Sequence, residues 1–392
     1  MKNKQKEQEK QYRFWLHNLP GIGDRTIGWL LCLFGSARGV YEADDKQLEQ
    51  VIKKEEIRKE IRKFSAGWDL KGAYERLKEQ GIGFLTYEDM AYPDRLRKLK
   101  YPPYGLYYLG NLPRQDQVAA AIIGARECSE YGRYMAESFA GRLSGAGVAV
   151  ISGMARGIDG IAQQAAVNKG GATFAVLGSG VDVCYPASNR KLYDEILMSG
   201  GGILSVFPPG SKPQKRFFPE RNRIVAGLSD LLLVVEARQK SGTWITVDMA
   251  LEQGKNVYAV PGRLTDRLSD GCNLLIRQGA GIVLSPEDLL QEIRVLRNRQ
   301  GSGGNGGIGR VGDERTFRGE LKENKPEKGL LSCLDFAPRR ADEILDLMLK
   351  KGEKTEISEV LAGLTRLCVE GLAKQEGGYY SSLACAEGDN MF

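Results

Sequence analysis

The 392-residue chain has a single histidine, His17. Ser-His-Asp and Cys-His nucleophile systems each need an imidazole in the site, and an HExxH zinc site needs two. His17 falls within an N-terminal helical pattern, which makes it structural and sets those chemistries aside. Cysteine is thinly scattered, at Cys32, Cys128, Cys184, Cys272, Cys333, Cys368 and Cys385, with no CxxC pair. An odd, dispersed set argues against a disulfide framework and against a structural zinc site. No GxxxxGK[ST] loop is present, so the chain is no P-loop NTPase. No apolar run approaches the roughly 20 residues that span a bilayer. The opening MKNKQKEQEKQYRFW lacks the apolar centre of a signal peptide. The expectation is a cytoplasmic protein with no membrane partner, no metal and no cofactor.

Apolar residues make up 42% of the chain and charged residues 27%, enough for a core without covalent staples. The net charge of +6 permits a polyanionic partner without requiring one. Its distribution along the chain carries more information.

Residues 12–90 read as helical. In FWLHNLPGIGDRTIGWLLCLFGS, apolar residues at helical spacing flank Gly21 and Gly23. That pattern favours a small helical packing domain over a phosphate-binding helix-hairpin-helix. From about residue 117 short apolar runs alternate with helical patterns: VAAAIIGAR, GVAVISGMARGID, ATFAVLGSG, GILSVF, LLLVVEA, NVYAVPG and GIVL. Between the first two, Met135, Phe139 and Leu143 share a helix face. Near-continuous apolar strands alternating with helices predict a parallel sheet covered on both faces, a doubly wound Rossmann-like α/β domain. Seven of the twelve residues from Gly301 to Gly312 are glycine, which reads as a flexible linker. Beyond it, short helices with a terminal hairpin suggest a winged-helix-like domain, with Val360, Leu361, Leu364 and Cys368 on one stripe. Its candidate recognition helix holds Arg366 against Glu356, Glu359 and Glu370, which suits a protein partner better than DNA. The division expected is an N-terminal helical domain at 1–90, a Rossmann-like domain at 91–297, a linker at 298–328 and a winged-helix-like domain with its tail at 329–392.

In an open parallel sheet, ligands bind beyond the carboxyl ends of the strands. After the first strand come Gly124 and Arg126. After the second come Ser152, Gly153, Arg156, Gly157 and Asp159. Gly178 and Gly180 follow the third, without the third glycine of GxGxxG, since Val183 stands there. The fourth leads into SKPQKRFFPERNRIVAGL, and the fifth into Ser241, Gly242 and Thr243. Glycines admit an anion close to the backbone, helix N-termini offer free N–H groups, and arginines offer forked donors. A loop that joins Lys215 and Arg216 to Phe217 and Phe218 combines the two components of a single-strand binding groove, cations for phosphates and rings for bases. One ring of the Phe pair is expected to anchor the loop in the core, and Arg221 or Arg223 could pair with a carboxylate instead.

IIGARECSEYG, SGMARGIDGIAQQAA, VLGSGVDVCYPASNRKLY, RFFPERNRIVAGLSDLLLVVEA, SGTWITVDMALEQGKNVYAVPG and SDGCNLLIRQGA occur in this order. Together they resemble the DprA/Smf family of DNA-processing proteins in bacterial natural transformation, over about residues 120–280. The resemblance implies a non-enzymatic homodimer that binds single-stranded DNA and loads the RecA recombinase onto it. It carries the DNA pocket to Gly124, Arg126, Ser152, Gly153, Arg156, Gly157, Lys215, Phe218, Arg221, Asn222 and Arg223. Two positions depart from the family pattern. Gln163 stands where His is frequent, and Val206 where Glu is frequent.

Two other readings compete. SGTWITVDMALEQG distantly resembles the GGxGTxxE loop of lysine-decarboxylase-like phosphoribohydrolases, in which case Glu236 or Asp248 would carry acid–base work. A mononucleotide-sensing module would use the same loops.

Overall fold

The apolar runs after residue 117 form short strands, buried on both faces except at the β9 edge. In the computed structural model they are β3 (Ala119–Ile123), β4 (Ala149–Ser152), β5 (Thr173–Val176), β6 (Gly202–Ser205), β7 (Leu231–Val234), β8 (Asn256–Ala259) and β9 (Gly281–Ile282). The structure describes residues 2–301, 330, 333–334, 339–353, 355–369, 373–376 and 379–382. Residues 1–305 form one compact unit and 306–392 another.

In the first unit, β1 (Gly83–Thr86) and β2 (Gly105–Gly110) complete a nine-stranded sheet ordered β1-β2-β6-β5-β4-β3-β7-β8-β9. From β6 to β9 every pairing is parallel, while β2 joins β6 and β1 joins β2 antiparallel. The parallel part is the doubly wound arrangement expected from the sequence. The two antiparallel strands were not. β1 lies in the stretch read as helical and β2 ahead of the first expected strand, and β1 pairs with β2 residue for residue.

The strand alternation sorts side chains to two faces. Ala120 and Ile122 of β3 pack with Phe139, Leu143, Leu231 and Leu289, beneath α8 (Glu130–Gly145), α9 (Ile158–Asn168) and α14 (Pro286–Gly301). Ala119, Ala121 and Ile123 pack with Val225, Val247 and Leu275, beneath α11 (Phe217–Leu228), α12 (Thr243–Glu252) and α13 (Asp270–Arg277). Helix α10 (Arg190–Met198) covers β5 and β6 through Leu192, Tyr193 and Ile196.

Helices α1 (Lys2–His17), α2 (Asp24–Phe34), α3 (Ala37–Glu42), α4 (Asp45–Glu49), α5 (Glu55–Gly67) and α6 (Leu70–Glu79) enclose Trp15, Leu16, Ile27, Leu30 and Ile61, with Tyr104 reaching in from the sheet side. The short α7 (Asp94–Arg97) lies between β1 and β2 in the chain. His17 is structural: its Nε2 meets the Val206 carbonyl at 3.0 Å and its Nδ1 is buried without a partner. Burial pushes its pKa down to about 4.

The second unit contains β10 (Arg339–Arg340), α15 (Ala341–Lys350), α16 (Ile357–Val369), β11 (Ala373–Glu376) and β12 (Tyr379–Ser382), with sheet order β10-β12-β11. Among the described residues of this unit are a strand, two helices and a hairpin that returns to pair with the first strand. On α16 the core stripe is Val360, Leu364 and Leu367, while Leu361, expected on it, faces solvent. Residues 298–301, read as linker, close α14. The rest of that expected linker, 302–328, and the tail at 383–392 lie outside the described residues. Among the described residues no helix is long and apolar enough to cross a membrane.

Candidate nucleic-acid interface

From β3 the chain runs one way through β4, β5 and β6, then returns to place β7 on the other side of β3. The crevice at this reversal lies beyond the carboxyl ends of β3 and β7. A cleft of about 690 Å³ opens there, lined from the turns after several strands. The turn after β3 contributes Gly124, Ala125 and Arg126. The one after β4 contributes Gly153 and Asp159, the start of α11 contributes Lys215, Phe218, Arg221 and Asn222, and the start of α12 contributes Ser241 to Thr243. Both Arg126 and Lys215 are exposed.

Close backbone approach makes this convergence possible. Gly157 precedes α9 with φ +72°, and a Cβ there would run into the carbonyls of Ala125 and Arg126. The turn after β4 therefore sits directly against the one carrying Arg126, and Ile158 N–H donates to the Ala125 carbonyl at 3.1 Å. Across the cleft a Cβ on Gly178 would touch the Phe218 ring at 3.1 Å. Glycine at these two positions lets the loops close on one another.

Phe218 is the aromatic centre. The guanidinium carbons of Arg126 and Arg221 each lie 5.7 Å from its ring centre, and the Tyr185 ring lies 5.9 Å away. Its neighbour Phe217 stacks on Phe207 at 4.0 Å and 22°. The two rings of the FF pair thus divide the work, Phe217 securing the loop and Phe218 facing the cleft.

The arginines also divide. Arg221 is buried beneath the cleft and donates to the carbonyls of Gly153 and Val176, while its Nε donates to Asn222 Oδ1 at 3.0 Å. Asp159, buried beside it, accepts from Gly153 N–H at 3.1 Å. Burial raises the Asp159 pKa and lowers that of Arg221, and in each case the opposite charge of the other opposes the shift. The two opposite charges share the floor of the cleft, with Arg126 as a further positive neighbour that lowers the pKa of Arg221.

Of the residues expected in the pocket, the structure brings Gly124, Arg126, Gly153, Lys215, Phe218, Arg221 and Asn222 to the cleft wall. Ser152 is buried with its Oγ on the Ile122 carbonyl, a cross-strand tie. Arg156 and Gly157 stand on the turn beside the cleft without lining it, Arg156 exposed. Arg223 is on a different flank of α11, pairing with Glu220 and with Asp24, and donating to the Tyr101 carbonyl. Successive helix positions point about 100° apart, so Asn222 facing the cleft turns Arg223 away from it. Of the two family departures, Gln163 is buried against Thr173, and Val206 supplies the carbonyl that His17 uses.

Sequence reasoning passed over Tyr185 and Arg238, which also line the cleft. Tyr185 was visible in VDVCYPASN as a ring beside a proline after a strand. Both oxygens of Glu236, the alternative acid, are taken by the Ser129 N–H and hydroxyl. Asp248 is exposed and does not line the cleft. Among the described residues no cluster of ligating side chains could hold a metal.

Residues 83–294 match the family model for DNA recombination-mediator protein A. The chain is 42% identical over 204 residues to the DNA processing protein DprA of Streptococcus pneumoniae, covering 52% of this chain and 72% of that protein. Protein Smf of a Synechocystis species is 33% identical over 318 residues, covering 75% and 78%. Among solved structures, DprA of S. pneumoniae superposes with a TM-score of 0.63 at 33% identity, over 72% of this chain and 97% of that one. DNA processing protein A of Helicobacter pylori, studied for its single-stranded DNA binding mode, superposes with a TM-score of 0.50 at 32% identity, over 55% and 96%.

Proposed function

The chain belongs to the DNA recombination-mediator protein A family, that of the DprA and Smf proteins, and we propose that it binds single-stranded DNA in the switch-point cleft and delivers it to RecA. One observation carries this reading: Arg126 and Lys215, from turns on different strands, line the same cleft around the Phe218 ring. Cations take the phosphates without regard to sequence and the ring stacks a base. A mediator of recombination must hand its strand to a recombinase, and RecA loading during natural transformation, in the cytoplasm, is the task that fits. The role is binding and transfer, with no bond made or broken. The commitment of Glu236 to Ser129 supports that over nucleotide hydrolysis.

A homodimer is proposed as well. β9 is an edge strand that exposes Ile282, with Leu284 just beyond and Leu251 beside a hollow of about 650 Å³. Such an edge invites pairing with a second copy. Sedimentation of a Leu284→Asp variant should show a lighter species than the parent.

The test of the cleft is single-stranded oligonucleotide binding across a salt series, with duplex as competitor. The slope of log affinity against log salt should be about −0.7 per phosphate neutralised. Arg126→Ala and Lys215→Ala should each weaken binding to all sequences and flatten that slope by about one phosphate's share. Unchanged affinity in both variants defeats the reading. RecA delivery is tested by filament growth on strands coated with single-strand-binding protein, which the chain should accelerate.

A further inference from the structure

A second basic and aromatic surface lies on the outer flank of α11, away from the cleft. Tyr101 is 44% exposed, with the Arg25 guanidinium over its ring at 4.0 Å and the Lys100 ammonium 5.6 Å from its centre. One helical turn beyond Arg25 on α2 stands Trp29, 64% exposed. Residues four apart on a helix are neighbours on its surface, so Tyr101, Arg25 and Trp29 follow one another in a row. Neither Arg25 nor Lys100 has a carboxylate partner among the described residues. The acids at this seam, Asp24 and Glu220, are both taken by Arg223, which leaves the surface positive.

Helix α11 connects this surface to the cleft. Asn222 lines the cleft, and the next residue, Arg223, donates to the Tyr101 carbonyl. One turn of α11 therefore walls the cleft on one side and fixes the Tyr101 segment on the other. Unpaired cations interleaved with exposed rings suit a nucleic-acid backbone and its bases. A protein partner would bury Trp29 but leave Arg25 and Lys100 seeking acids.

We propose that Arg25, Trp29, Lys100 and Tyr101 form a second single-stranded DNA contact, which takes the stretch of strand that leaves the cleft around α11. The proposal rests on the cleft reading above, and oligonucleotide length separates the two. An oligonucleotide of about six nucleotides fills one groove of this kind, whereas one of about 25 reaches beyond it. Tyr101→Ala and Trp29→Ala should each weaken binding of the longer strand about tenfold and leave the shorter within about twofold. Tyr101→Trp should keep the parent's affinity for both. Arg25→Ala should reduce the salt slope by about 0.7 for the longer strand alone. Lys215→Ala should weaken both lengths, and if it weakens neither, it is the cleft that is wrong. Parent-like binding of both lengths by Tyr101→Ala and Trp29→Ala, beside a loss in Lys215→Ala, overturns this second contact. So does a change in sedimentation mass with DNA binding intact, which would make the surface a protein interface.

Discussion

Arg126 carries its guanidinium 5.7 Å from the centre of the Phe218 ring, although one follows β3 and the other opens α11. A cation near an aromatic ring can hold a phosphate while the ring receives the adjoining base. This spacing is the arrangement on which the proposed strand-binding role of the cleft rests.

The two phenylalanines should separate by assay. Phe218→Ala is expected to cost about 1–3 kcal/mol of single-strand affinity with an unchanged salt slope, because stacking displaces no counterions. Phe217→Ala should chiefly lower the melting temperature, since its ring is spent on Phe207. Anisotropy titration and thermal melts of both variants decide it. Equal affinity loss in both would refute the division.

Arg126 and Arg221 should separate in the opposite sense. Arg126 is exposed, and Arg126→Ala should leave stability within about 0.5 kcal/mol. Arg221→Met removes the donor to the Gly153 and Val176 carbonyls and the charge that offsets the burial of Asp159, at a cost of about 1–3 kcal/mol. Adding Asp159→Asn should recover part of that loss. Urea denaturation of the three proteins would show it.

Gly153 and Gly157 should tolerate no side chain. A Cβ on Gly153 would run into the Arg221 guanidinium, and alanine at Gly157 would hold φ +72° against two carbonyls. Each alanine variant is expected to lose roughly 1–3 kcal/mol of stability and to bind single-stranded DNA more weakly. By contrast Gly145, with open space around it, should accept alanine freely. Melting and binding measured on all three provide the comparison.

His17 should make stability depend on pH. Its folded pKa of about 4 lies below the ordinary 6.5, so the unfolded chain takes up the proton first as pH falls. Stability from this group is complete above pH 6.5 and declines between 6.5 and 4, by about 3 kcal/mol in all. His17→Gln should lack this component, so the stability difference between parent and variant should change across that window. As His17 is the sole imidazole, its NMR titration reads the shift directly, and a midpoint near 6.5 would contradict it.

What the chain declared by itself was whatever short-range pattern can encode. Unbroken apolar runs alternating with helical spacing announced β3 to β9 and the helices between them. The glycine turns marked where loops had to meet one another, and the ordered motifs identified the family. Which cation lines the cleft was decided only by the folded protein. Arg221, Asn222 and Arg223 are consecutive, yet the first lies buried under the cleft, the second lines it, and the third binds Asp24 and Glu220 on another flank. Helix geometry sends neighbouring side chains in different directions. Burial and distant partners then decide which charge is spent inside and which remains for a ligand, and neither is written in the residue's own neighbourhood.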